Sequence, residues 1–123
     1  NQKEDCLCLN IWTPNFYNGS KQPSGFPVMV YFHGGSFEWG AGSAPFYDGA
    51  EICEKEEIVV VTVNYRVGSL GWLSLNEFVE ESNSTGNWGF LDQQVFFVFV
   101  FRLNIISCRF NLKLPNPTKT FHF

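Results

Sequence analysis

The 123-residue sequence has few of the residues from which metal centres are built. It contains two histidines and four cysteines, and no two of the cysteines form a C-x-x-C pair. Zinc sites usually draw their ligands from closely spaced cysteines and histidines. We therefore expect no metal site.

Phosphate-binding glycine motifs are also missing. The segment GAGSAP at 40–45 lacks the third glycine of G-x-G-x-x-G, and G-K-[ST] occurs nowhere in the sequence. Because the backbone N–H groups of such loops hold phosphates, their absence disfavours a nucleotide-binding fold. We expect no cofactor and no nucleic-acid partner.

No hydrophobic run is long enough to cross a membrane. The apolar run VFFVFVF, Val95–Phe101, has seven residues, whereas a membrane-spanning helix needs about 20. This run contains no charge, proline or glycine, a composition that favours aggregation. We expect no membrane span.

The last 29 residues have no acidic residue, glycine, tryptophan or tyrosine. Residues 1–94 carry 4 basic and 12 acidic side chains, and residues 95–123 carry 4 basic ones, which gives the net charge of −4. The change after Gln94 predicts two parts, a globular part at 1–94 and a divergent tail at 95–123. Translation of a thymine-rich intron beyond Gln94 would explain the phenylalanines and valines of the tail.

The start of the chain and two short triplets bear on its origin. Asn1 stands where a complete protein would begin with methionine, so we expect a fragment. The triplets at Asn18 and Asn83 are acceptors for N-glycosylation, whereas Asn116 is followed by proline. These triplets favour a secreted or extracellular location for the full-length protein, although the sequence does not define the compartment.

Three apolar segments predict strands, and one charged segment predicts a helix. Leu7–Trp12, Val28–Phe32 and Ile58–Tyr65 are apolar, and the last two are rich in β-branched and aromatic residues without clean alternation, which is typical of strands buried on both faces. Asp48–Glu57 combines a capping aspartate with spaced apolar positions in a charged background. A strand, a helix and a strand in succession predict an α/β fold.

The second predicted strand runs directly into His33, Gly34, Gly35 and Ser36. Glycine tolerates positive φ and lets another group approach the backbone closely. Such a turn could hold a phosphate, form an oxyanion hole, or only reverse the chain. The glycine spacing argues against the phosphate, and the other two alternatives stay open at this point.

Five segments of the sequence together resemble the type-B carboxylesterases, an α/β-hydrolase family that includes cholinesterases, bile-salt-type lipases and para-nitrobenzyl esterases. The resemblance runs from Glu4 to about Gln94. The segments are EDCLCLNIW (4–12), HGGSF (33–37), FYDGAEI (46–52), VVVTVNYRVGSLGWLS (59–74) and GNWGFLDQ (86–93). The resemblance implies a partial α/β-hydrolase fold, with the N-terminal portion of the central sheet and a short helix, incomplete on its own.

In this family the glycine turn forms part of the oxyanion hole. The resemblance implies that Gly35 and Ser36 are the donors and that Gly34 shapes the turn. Ser36 replaces the family's third glycine, but donation by the backbone does not need a glycine there. His33 does not match the catalytic histidine of the family, so its implied role is structural.

The resemblance also assigns structural roles. Arg66 and Asp92 resemble a family ion pair that braces the core. Cys6 matches a family cysteine whose disulfide partner lies upstream of Asn1, so it would be half of a disulfide.

Four further side chains are candidates for packing. Cys8 and Cys53 are expected to act as small buried hydrophobes. Trp39 and Trp72 either fill the core, which we favour, or line the substrate gorge of the family.

The catalytic triad of the family is missing from these 123 residues. Ester hydrolysis by this family needs a nucleophilic serine in a G-x-S-x-G motif, followed by an acid and a histidine, and no G-x-S-x-G occurs here. We expect a fragment of a serine esterase that acts on small carboxylic esters through an acyl-enzyme, with this chain inactive by itself. The alternative is a fragment of a non-catalytic adhesion protein of the neuroligin type.

Overall fold

The computed structural model describes residues 5–14, 26–75, 86–102 and 118–122. Within them lie four strands, β1 (Cys8–Trp12), β2 (Val28–Phe32), β3 (Val59–Val63) and β4 (Thr118–His122). They form a mixed sheet with the order β2-β3-β1-β4. β2 runs parallel to β3, and β1 is antiparallel to both β3 and β4.

The three strands expected from the apolar segments are confirmed. Of the two that were expected to be buried on both faces, β3 is buried, whereas the expectation was wrong for β2. Every residue of β1 and β3 is buried, because each strand has a neighbour on both edges and helices cover the sheet. β2 is only partly buried. It differs because it forms the edge of the sheet in the described part of the chain.

The helix expected at Asp48–Glu57 is also confirmed, with its start two residues later, as α1 (Ala50–Glu56). The N-cap is Gly49 and not the expected Asp48, whose carboxylate accepts the N–H of Ala50 at 2.9 Å from the position before the cap. Glu57 has a φ of 51° and ends the helix. The other helical segments are a 3₁₀ turn (Pro45–Tyr47), α2 (Ser69–Trp72) and α3 (Trp88–Arg102).

The apolar run Val95–Phe101 belongs to α3, which continues without a break through Gln94. Phe96 and Val100, four residues apart, lie on one face of the helix and are buried in the core. The helix is apolar around its whole circumference in this region, so Val95, Phe97 and Phe101 are left exposed. None of the described helices is long and apolar enough to cross a membrane.

Two hydrophobic clusters lie on the two faces of the sheet. Side chains alternate along a strand, so Val60 packs with Trp12 and Cys53 of α1 on one face. On the other face, the buried cluster contains Leu9, Ile11, Phe26, Val59, Val61, Val63, Phe96 and Val100. Helices on both faces of a mixed sheet are an α/β architecture.

We expect Leu9→Ala to lower the free energy of unfolding by about 3 kcal/mol, because it leaves a cavity in the larger cluster. Leu9 is 0% exposed. Leu70→Ala is the matched control, since Leu70 is 56% exposed and its loss should cost less than about 0.5 kcal/mol. Urea denaturation of both variants measures the difference, and equal losses would contradict this assignment of the core.

Candidate functional site

The turn after β2 is held in a backbone conformation that glycine makes accessible. Gly35, Ser36 and Phe37 have φ values of 134°, 53° and 64°. The carbonyl of Gly35 accepts the N–H groups of Glu38 at 3.0 Å and Trp39 at 3.2 Å. A side chain at Gly35 would collide with the carbonyl oxygen of Trp39. Glycine is therefore required at this position for steric as well as conformational reasons.

In the same turn, two neighbouring backbone donors have no acceptor among the described residues. Within the residues that the structure describes, the N–H groups of Gly35 and Ser36 donate no hydrogen bond. Gly35 is partly exposed and Ser36 is exposed. Both residues therefore lie at the surface of the described structure.

His33 lies beneath the turn and supports it. The side chain is 2% exposed, and its ring stacks on that of Tyr65 with centroids 4.4 Å apart and planes at 16°. The Tyr65 hydroxyl donates to the His33 carbonyl at 2.6 Å, and His33 Nδ1–H donates to the carbonyl of Gly34 at 2.9 Å. Burial raises the pKa of Tyr65, which keeps this donor protonated.

Side chains at the end of β3 and just after it hold the loop that follows the turn, and residues of β1 hold these side chains in turn. Asn64 Oδ1 accepts the N–H of Gly42 at 2.6 Å, and Thr62 Oγ1 donates to the carbonyl of Gly42 at 2.8 Å. Asn10 Nδ2 donates to Thr62 Oγ1 at 3.1 Å, and Asn64 Nδ2 donates to Cys8 Sγ at 3.0 Å. Our sequence analysis missed these polar residues. Their signal was the presence of Thr62 and Asn64 in an otherwise apolar segment.

Aromatic rings lie next to the exposed donors. Phe37 contacts Trp72 and Phe90 edge to face, with centroids 4.7 and 6.4 Å apart, and Trp72 contacts Phe90 at 5.0 Å. Trp72 is half-buried against two exposed rings and belongs to neither buried cluster, so the core packing that we favoured for it stays a prediction. Trp39 is 65% exposed, so in the described part of the chain it does not fill a core.

Arg66 and Asp92 form an ion pair with two parallel hydrogen bonds. Arg66 Nε donates to Asp92 Oδ2 at 2.8 Å, and Nη2 donates to Oδ1 at 2.7 Å. The backbone N–H of Arg66 also donates to Oδ2 at 3.0 Å, and the guanidinium lies 5.6 Å from the ring centre of Trp88. These hydrogen bonds raise the pKa of Arg66 above its usual value. The pair joins the end of β3 to α3.

The three cysteines in the described residues are free thiols. Cys8 and Cys53 are buried, and desolvation raises the pKa of Cys53 to about 11. Burial also raises the pKa values of Cys6 and Cys8. Cys6 has no disulfide partner in this part of the chain.

The remaining sites considered from the sequence are the glycosylation triplets and a metal site. The glycosylation triplets begin at Asn18 and Asn83, which lie outside the described residues. Within the described ranges, no cluster of three histidine, cysteine or acidic side chains could hold a metal ion.

Comparison with solved structures identifies the fold to which this sheet and turn belong. The structure of a PNB esterase matches with a TM-score of 0.72 and 42% sequence identity, over 87% of this chain and 21% of that chain. A thermophilic PNB esterase matches with the same TM-score and 41% identity, over 87% of this chain and 20% of that chain. The chain is therefore part of an α/β-hydrolase fold.

The carboxylesterase family model matches residues 1–105, and the chain belongs to the carboxylesterase family. It is 47% identical to para-nitrobenzyl esterase of Bacillus subtilis over 92 residues, which are 75% of this chain and 17% of that protein. It is 42% identical to mouse cholinesterase over 95 residues, 77% of this chain and 14% of that protein. It is 44% identical to mouse bile salt-activated lipase over 107 residues, 81% of this chain and 17% of that protein.

These coverages show that the chain spans about one sixth of the length of the curated relatives it matches. The family match ends within the segment that we interpret as a divergent tail, 11 residues beyond Gln94. The division of the chain at Gln94 stays a prediction.

We expect Asp92→Asn to lower the free energy of unfolding by roughly 3 kcal/mol, because it leaves the Arg66 guanidinium without its buried partner. The Asp92 side chain is 5% exposed and that of Arg66 is 33% exposed. Glu51→Gln is the matched control. It removes the charge from an exposed pair with Lys55 and should cost no more than about 0.5 kcal/mol.

Chemical denaturation measures both variants. A loss for Asp92→Asn as small as that for Glu51→Gln would show that the pair does not brace the fold.

Proposed function

We propose that this chain supplies the oxyanion-hole turn of a carboxylic ester hydrolase. The observation that carries the proposal is the pair of neighbouring N–H groups on Gly35 and Ser36, which have no acceptor within the described residues and belong to residues at the surface. Membership of the carboxylesterase family supports a small carboxylic ester as the group they would receive.

The chemistry requires donors that are already oriented before reaction. When a nucleophile attacks an ester carbonyl, negative charge develops on the carbonyl oxygen, and fixed N–H groups stabilise that charge. Loss of one such donor typically costs about 100-fold to 1,000-fold in rate. The contacts of His33, Tyr65 and Gly35 hold the turn in one shape, so the donors need not reorganise in the transition state.

The nucleophile of the proposed reaction is not Ser36. The 123 residues contain no G-x-S-x-G, and in the described structure no hydrogen bond links Ser36 to His33. His33 Nδ1–H donates to the carbonyl of Gly34, and Nε2 is buried. We propose that the full-length protein acts as a serine esterase through an acyl-enzyme. This chain does not turn over esters by itself.

Two further predictions concern the modification and the origin of the chain, which the structure does not test. We propose that the full-length protein is a secreted glycoprotein modified at Asn18 and Asn83. We also propose that residues 95–123 are a divergent tail. A spliced transcript with one uninterrupted exon across Gln94 would contradict the intron explanation.

The adhesion-type alternative would use the same fold without catalysis. It differs from the esterase in the residue at the nucleophile elbow, where the esterase has serine. Sequencing the transcript through the region that encodes this elbow separates the two functions.

The purified chain should hydrolyse a short-chain nitrophenyl ester no faster than its Ser36→Ala variant, because it has no activated nucleophile. A fluorophosphonate that traps activated serines should likewise label neither protein. Burst kinetics with stoichiometric labelling at any serine, abolished when that serine is replaced, would contradict the prediction.

The turn itself can be tested in a complete active site. In a hybrid protein, residues 5–94 of this chain replace the aligned segment of the Bacillus subtilis para-nitrobenzyl esterase. The rest of the hybrid keeps the sequence of that esterase. In this hybrid, Gly35→Ala should lower kcat/KM by about 100-fold or more, because the added side chain displaces the donor. Ser36→Ala is the control and should change kcat/KM less than about 3-fold, since the backbone donor remains.

Fluorophosphonate labelling of the hybrid confirms that its pocket is formed before the variants are compared. Equal losses for both variants, or a larger loss for Ser36→Ala, would exclude backbone donation as the role of this turn.

A further inference from the structure

β4 closes the outer edge of β1. The two strands pair antiparallel over five positions, from Cys8 opposite His122 to Trp12 opposite Thr118. β1 pairs with β3 along its other edge. In the described sheet, both edges of β1 are therefore occupied, and β4 is the outermost strand on this side.

Without β4, the open edge of β1 would be a strong template for pairing. The strand has the sequence CLNIW, and Leu9 and Ile11 belong to the larger hydrophobic cluster. A flat apolar strand with unpaired N–H and C=O groups readily recruits another strand. Two copies of β1 would be suitable partners for each other, because an antiparallel pair of identical strands is compatible with twofold symmetry.

β4 is a less suitable template for further pairing. Its sequence, TKTFH, has a lysine between two threonines, and lysine on an edge strand is a common means of preventing association between sheets. When β4 pairs with β1, the outermost strand on this side of the sheet is the more polar β4 and not the apolar β1.

We propose that residues 118–122 act as a clasp in cis: they occupy the edge of β1 and prevent its pairing with β1 of a second copy. The backbone N–H and C=O groups at the edge of β1 bind an extended strand, as in β-strand addition. The clasp concerns association of the chain and does not depend on the proposed ester chemistry.

Deletion of residues 118–123 from the chain tests the clasp by hydrogen–deuterium exchange. In dilute solution, exchange in a peptide covering Cys8–Trp12 should rise at least about 10-fold, because each amide that faces β4 loses its acceptor. Exchange in Val59–Val63 should stay within about 2-fold, since β3 keeps both of its neighbours. At higher concentration, protection of Cys8–Trp12 should return as the molecular mass doubles in light scattering.

Two additions make the experiment specific to the strand. The peptide TKTFHF in excess should restore protection of Cys8–Trp12 and lower the molecular mass to that of a monomer, whereas a scrambled peptide should do neither. In the full-length chain, Thr120→Pro removes one backbone donor from β4 and should raise exchange in Cys8–Trp12 selectively.

Each remaining outcome opposes the proposal. Unchanged exchange in Cys8–Trp12 after the deletion would show that β4 does not cover this edge. An equal rise in Cys8–Trp12 and Val59–Val63 would make β4 a part of the core and not a clasp.

Discussion

The turn after β2 depends on the stacked rings of His33 and Tyr65. Gly35, Ser36 and Phe37 all have positive φ, and a left-handed conformation costs roughly 1 to 3 kcal/mol for a residue other than glycine. The Tyr65 hydroxyl on the His33 carbonyl and His33 Nδ1–H on Gly34 fix the chain where it enters the turn. Because these contacts are buried, they favour the persistence of this unfavourable backbone conformation.

The end of β3 organises the rest of the site. Tyr65 supports the turn, and the next residue, Arg66, forms the ion pair with the buried Asp92 of α3. Gly89 lets α3 approach closely, because a side chain there would lie 2.7 Å from the Arg66 carbonyl oxygen. α3 in turn contributes Phe90 to the aromatic cluster around Phe37. One short segment thus connects the turn, the ion pair and the rings beside the donors.

Local sequence patterns were sufficient to predict β1, β2, β3 and α1. Each strand is a largely apolar segment, and α1 follows an aspartate whose carboxylate accepts the N–H of its first residue. The pattern failed for β4, because TKTFH has no apolar run or clean alternation to mark a strand. This strand forms only because the edge of β1 offers backbone partners that are distant in sequence.

The sequence by itself determined the family, the three apolar strands and the position of the glycine turn, because all of these are encoded in short contiguous motifs. Only the tertiary structure decided the order of the strands, the bonds of Asn64 and Thr62 to Gly42, and the exposure of Trp39. The physical reason is that these features depend on groups far apart in the chain. Their hydrogen bonds and burial exist only after the sheet has brought those groups together.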